Sequence, residues 1–172
     1  MPQSSITWPD TIYQILRDWE VDQLSYVPDA GHARLIERAI ADNDVHAVAL
    51  TTEEEGVALA AGAHLGNARA ALLMQSSGVG NCANMFSLVK SGQFPLLVLV
   101  SMRGDFGEAN PWQMPMGQAA RPILESCGFV CLTVDSTSSV EPTLSAACTM
   151  VFKAGQAVAV LLGQRLIGAK AF

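Results

Sequence analysis

The most constraining stretch of this chain is Leu96-Leu97-Val98-Leu99-Val100, five apolar residues in succession behind Pro95. A half-buried strand alternates apolar and polar residues, because successive side chains point to opposite faces. An unbroken run therefore marks a strand covered on both faces, as in a parallel sheet between two helical layers. The rest of the chain supplies those layers. Ile12, Ile15, Leu16 and Trp19 recur at helical spacing behind Thr7-Trp8-Pro9-Asp10, and Val79, Cys82, Ala83, Phe86 and Val89 share one face of a helix over 79–90. Further helices are expected over 35–40, over 52–64, from about 118, and behind a capping box at Ser138-x-x-Glu141. Between them lie strands at 24–27, 45–50, 70–74, 96–100, 129–133 and 157–162. This alternation predicts an α/β fold: one domain over 1–172, with a doubly wound parallel six-stranded sheet and helices on both faces. Ligands of such sheets sit beyond the carboxyl ends of the strands. The clusters to read are therefore 29–32, 51–55, 75–84 and 101–113, the last within a long Gly/Pro-containing loop over 102–115.

Half of the 172 residues are hydrophobic and only 15% are charged, so part of the surface is expected to be covered by another subunit. A net charge of -6 with no Lys/Arg run argues against nucleic acid as the partner. The first residues lack a basic segment followed by an apolar one, and no apolar stretch reaches membrane-spanning length, which predicts a cytoplasmic protein. Cys82, Cys127, Cys131 and Cys148 have no zinc-ligand spacing and read as reduced thiols. No metal site is expected from this chain's own residues.

Two motifs could carry chemistry. Thr52-Glu53-Glu54-Glu55 opens a helix that is otherwise almost wholly apolar. Thr52-x-x-Glu55 has the form of a capping box, and first-turn acids suit the positive end of a helix dipole. These effects explain one or two of the three acids. So apolar a helix should be buried, and a carboxylate at its start needs a partner. The second motif is Gln75-Ser76-Ser77-Gly78-Val79-Gly80-Asn81-Cys82-Ala83-Asn84, a glycine turn between strand and helix. Read as G-x-G-x-x-A it is a weak dinucleotide fingerprint, with Asp105 as the ribose acid. Against that, the turn follows the third strand and Asp105 lies in a loop.

The residues from Thr52 to Gly66, Ala71 to Asn81, Pro95 to Gly104 with Gly107-Glu108, and Gln113 to Gly117 resemble, in order, the thiamine diphosphate-dependent 2-oxo acid decarboxylases. The resemblance is to the α subunit of sulfopyruvate decarboxylase and the matching part of phosphonopyruvate decarboxylase. It implies a pyrimidine-binding domain in which the glutamate nine positions before a helix glycine, Glu53 before Gly62, activates the cofactor. It also implies cofactor contacts from Pro28, Ser77, Gly78, Gly80 and Asn81. The family's Gly-Asp-Gly motif for diphosphate and Mg²⁺ is missing, Gly104-Asp105-Phe106 being the nearest approach. The resemblance therefore implies that a β subunit carrying that motif supplies most of the Mg²⁺ and diphosphate site, in a hetero-oligomer with two or more copies of each chain. The substrate would be a small anionic 2-oxo acid, sulfopyruvate or phosphonopyruvate, released as CO₂ and an aldehyde. Arg103 is the first candidate for its anionic group, because a guanidinium grips such oxygens bidentately. His32 and Gln113 are further substrate candidates. Relatives carry Ser after Pro-Asp, so Ala30-Gly31-His32 is a departure that leaves open another 2-oxo acid or a carboligation partner. A non-catalytic subunit that keeps the fold is the remaining alternative.

Overall fold

The computed structural model, which describes residues 7–168, runs α1 (Trp8–Asp18), β1 (Val21–Tyr26), a 3-10 turn (Ala30–His32), α2 (Ala33–Ala41), β2 (His46–Ala49), α3 (Glu53–Leu65) and β3 (Arg69–Gln75). It continues through α4 (Ser76–Cys82), α5 (Ser87–Gly92), β4 (Leu96–Ser101), α6 (Met114–Ser126), β5 (Val130–Val134), α7 (Thr137–Phe152), β6 (Ala157–Leu162) and α8 (Gln164–Ile167). The six strands form one sheet in the order β2-β1-β3-β4-β6-β5, every pair parallel. β4 is buried at every position, as an unbroken apolar run requires. Its residues divide between two cores. Leu97 and Leu99 pack with Ile12, Leu35 and Leu144, under the layer of α1, α2 and α7. Leu96, Val98 and Val100 pack with Val57, Val79, Val89 and Leu124, under the layer of α3 to α6. The doubly wound α/β sheet expected from the alternation is the one observed.

Four local expectations are corrected. The helix over 79–90 is two short helices separated at residues 83–86. Gly78, Gly80, Asn81 and Asn84 are weak helix formers. Phe86 turns inward to meet Phe129 edge-on at 4.8 Å. α6 starts at Met114, so Pro115 is a first-turn residue, where its missing N–H costs no hydrogen bond. α7 starts two residues earlier than its expected cap: Ser136 is the N-cap, and its N–H donates to Ser139 Oγ at 3.3 Å. α8, four residues long, is too short to leave a periodic trace.

The strand order reverses between β1 and β3, since β2 lies on one side of β1 and β3 and β4 on the other. The crevice beyond their carboxyl ends is where such a sheet accepts ligands. The segments after β1, β2, β3 and β4 all open onto this edge.

Candidate active site at the carboxyl edge of the sheet

The three acids that open α3 meet different fates. Glu53 is buried, at 8% exposure, whereas Glu54 is half-buried and Glu55 exposed. Thr52 Oγ1 donates to Glu54 Oε2 at 2.5 Å, which holds the Glu54 carboxyl below its ordinary range. Glu55 Oε2 accepts from the Thr51 N–H at 2.9 Å, one residue further back than a capping box would have it. Both acids are thus occupied by their own turn, and Glu53 faces α4.

α4 receives it with an amide and a missing side chain. Asn81 Nδ2 donates to Glu53 Oε2 at 2.8 Å. A Cβ on Gly78 would stand 2.5 Å from Cγ, Cδ and Oε1 of Glu53, so the carboxyl lies flat against the glycine. Among the described residues no hydrogen bond reaches Oε1. One turn further along α4, Cys82 is fully buried; that burial, reinforced by the charges of Glu53 and Glu54, pushes its thiol to about 12. Gly80 rests against the Met116 methyl of α6, where a Cβ would lie at 3.0 Å.

A second polar string crosses the ends of β3, β1 and β4. Ser77 Oγ donates to Gln75 Oε1 at 2.9 Å, and Gln75 Nε2 donates to Asp29 Oδ1 at 3.2 Å. Asp29 Oδ2 accepts from the Gly31 N–H at 3.1 Å and from Ser101 Oγ at 2.5 Å. Gly31 cannot carry a side chain here, because a Cβ would lie 2.7 Å from Ser101 Cβ. Asp29, Gln75 and Ser101 open the clusters 29–32, 75–84 and 101–113 marked in the sequence, but none of the three is among the candidate site residues. Their place immediately beyond three adjacent strands was the available signal.

The remaining candidates fall elsewhere. Pro28 is exposed just past β1. His32 is not solvent-facing: it is 1% exposed, with Nε2 3.2 Å from the Met74 carbonyl and Nδ1 without a hydrogen-bond partner among the described residues. Burial depresses its pKa, which keeps the ring neutral. Arg103 is not a free cation. Its Nε and Nη2 donate to Glu108 Oε2 and Oε1 at 2.5 and 2.8 Å. The same pairing holds the Glu108 carboxyl at about 2. Gln113, half-buried, precedes α6, and its carbonyl accepts from the Gly117 N–H at 2.9 Å. The structure therefore gathers Glu53, Gly78 and Asn81 directly, with Ser77 and Gly80 on the same short helix. Asp105 donates its N–H to Gln164 and belongs to the loop after β4, with no place beside the α4 turn.

No protein-family model matches the chain. Curated relatives do. The sulfopyruvate decarboxylase subunit alpha of Methanococcus maripaludis is 39% identical over 118 residues, covering 68% of this chain and 71% of that one. This chain belongs to the sulfopyruvate decarboxylase α-subunit family. The family's counterpart from Methanothermobacter thermautotrophicus is 34% identical over 154 residues, 89% of this chain and 93% of its own. The phosphonopyruvate decarboxylase of Streptomyces viridochromogenes is 32% identical over 130 residues, and the match covers only 33% of that longer protein. Among solved structures, a 2-oxoglutarate:ferredoxin oxidoreductase from Magnetococcus marinus superposes with a TM-score of 0.76 at 13% identity. It covers 95% of this chain and 29% of its own, a likeness of fold. The chain is thus a decarboxylase subunit on a fold shared with a 2-oxo acid oxidoreductase.

Proposed function

We propose that this decarboxylase subunit holds the pyrimidine ring of thiamine diphosphate through Glu53 and forms its active site together with a second chain. The observation that carries this reading is the buried Glu53 carboxyl: one oxygen fixed by Asn81, the other without a donor among the described residues, against a glycine that leaves room for nothing bulkier. That arrangement fits a ring nitrogen. Asn81 ties up Oε2, so Oε1 is the oxygen of Glu53 that would hold and return a proton at a pyrimidine nitrogen. When bound, the cofactor would supply the nucleophile and electron sink that decarboxylation of a 2-oxo acid requires. Around it, Glu53 sets the protonation of the ring, α4 keeps the carboxyl in place, and the apolar second core excludes water behind it.

Three observations support a partner. Past its acidic first turn α3 is almost wholly apolar, yet Ala58, Gly62 and Leu65 are exposed, Leu65 at 88%. The chain lacks a Gly-Asp-Gly sequence. Its named relatives include α subunits of similar length, whereas the Streptomyces phosphonopyruvate decarboxylase is about three times the matched length. The missing diphosphate and Mg²⁺ site is assigned to a β subunit, in an assembly with at least two copies of each chain. Sulfopyruvate and phosphonopyruvate are the first substrates to test, since the relatives' names specify them. A different 2-oxo acid is the second reading, favoured by the pairing of Arg103 with Glu108, which neutralises a cation that lines the cavity beyond β1 and β4.

The test is Glu53→Gln in the complex reconstituted with its companion chain, thiamine diphosphate and Mg²⁺. Glutamine keeps the shape and the Asn81 contact but cannot exchange a proton. Turnover should fall by at least about a thousand-fold, within the range of acid–base catalysis. Wild-type turnover in the variant refutes the assignment. A panel of 2-oxo acids on the same complex separates the two substrate readings.

A further inference from the structure

The loop between β4 and α6 is held from an unexpected place. Gln164, the first residue of α8, is 1% exposed and spends its side chain entirely on that loop. Its Oε1 accepts from the N–H groups of Asp105 and Phe106, each at 3.1 Å, and its Nε2 donates to Glu108 Oε2 at 3.0 Å. Glu108 in turn grips Arg103 through both oxygens and accepts from the Asn110 N–H at 2.9 Å. Arg103 passes the connection on: its N–H donates to Ser76 Oγ at 3.1 Å, and Ser76 opens the helix whose Gly78 and Asn81 hold Glu53. From the solvent side, Arg165 of α8 lies over the Phe106 ring at 4.0 Å. The loop's two ends are also pressed together, since a Cβ on Gly117 would run into the Arg103 carbonyl and one on Gly104 into the Gln113 carbonyl.

Through Arg103 this chain of polar groups reaches a cavity of about 220 Å³ beyond β1 and β4, lined by Asp29, Gly31, Ser101, Arg103, Ile167 and Gly168. Arg103 enters it from the loop and Ile167 from α8, so α8 both latches the loop and walls the cavity. A partly buried ion pair with an amide attached is a poor way to gain stability, because desolvation offsets much of the attraction. What it enforces is geometry: every member must be present and aligned. We propose that Gln164 is a positioning residue, acting through Glu108 to fix Arg103 and the 102–113 loop as the wall against which the 2-oxo acid is captured. The inference rests on the decarboxylase reading above and adds to it the residue that sets substrate affinity without touching Glu53.

The experiment uses Gln164→Leu and Gln164→Glu in the full chain, assembled with its companion, thiamine diphosphate and Mg²⁺, with sulfopyruvate as the probe. Leucine removes all three hydrogen bonds. Glutamate keeps the acceptor for the two amides but sets a second carboxylate against Glu108. In both, KM should rise about ten-fold or more, the loss expected for hydrogen bonds to charged groups, while kcat changes by less than about three-fold. Hydrogen exchange at the Asp105 and Phe106 amides should quicken about ten-fold in Gln164→Leu and much less in Gln164→Glu, a difference that a general loss of folding would not show. Arg165→Ala, which loosens the latch from outside, is the milder variant and should shift KM in the same direction by about two- to three-fold. Wild-type KM in the Gln164 variants overturns the inference, as does a fall in kcat at constant KM or unchanged exchange at the two amides. A wild-type complex without turnover on any 2-oxo acid refutes the decarboxylase reading itself, and the inference with it.

Discussion

Gly78→Ala tests the central geometry with a single methyl group. α4 tolerates alanine as a helical residue, so the backbone gives no reason for damage. The added Cβ would stand 2.5 Å from three atoms of the Glu53 carboxyl, whereas carbon atoms in contact settle at about 3.5–4 Å. The carboxyl must therefore retreat by about 1 Å, out of line with Asn81 Nδ2, from which it now accepts at 2.8 Å. A displacement of that size at a reacting group costs about a hundred-fold in rate. Stability should suffer less: overpacking by one methyl typically costs about 1–3 kcal/mol, or roughly 2–12 °C in Tm for a chain of this size. Turnover of the reconstituted complex and the thermal melt of the same preparation read the two effects separately. Turnover within about three-fold of wild type, with Tm unchanged, would show that the Glu53 carboxyl need not lie against Gly78, and the argument for its role would lose its geometric basis.

Three further outcomes follow from titratable groups. His32 is neutral and buried, with a folded pKa below its ordinary 6.5, so the unfolded chain binds the extra proton and stability falls as pH drops below about 6.5. Urea midpoints between pH 7.5 and 5.5 should decline and His32→Gln should flatten that decline; a profile unchanged by the substitution refutes it. The carboxyls of Asp10 and Glu108, both held at about 2, contribute a separate loss below about pH 4.5. The thiols should divide by burial: Cys82 and Cys148, fully buried and raised to about 12, should resist iodoacetamide at pH 8 until the chain unfolds. Cys127, half-buried, should react first, and early modification of Cys82 in mass-spectrometric mapping would contradict the packing around Glu53.

The strands were legible because burial on both faces writes itself as unbroken apolar sequence, so β4 and β6 could be placed within a residue. The contrast between three acids and the apolar helix behind them marked the start of α3 as a place to look, and only the resemblance, through the spacing of Glu53 from Gly62, chose among the three. What the sequence hid were interactions set by tertiary distance. Arg103 and Glu108 are five residues apart in a loop without periodicity, and nothing local shows that they close on each other. Gln164 is 59 positions from Asp105, and its short helix has no face to detect. His32 follows a turn sequence that ordinarily lies at the surface, yet Asp29 caps the turn and directs the ring inward. Phe86 broke an expected helix because a ring 43 positions away offered better packing than helical continuity.

The place of β6 in the sheet has a consequence for synthesis. β5 occupies an edge and its sole neighbour is β6, which also separates it from β4. On the ribosome β5 emerges before the strand it must pair with, and β4 waits with one long apolar edge open. Until residues 157–162 arrive, a nascent chain offers two unpaired borders to other polypeptides, the condition under which aggregation competes with folding. Truncation before Ala157 should therefore yield insoluble protein, although five of the six strands have been made.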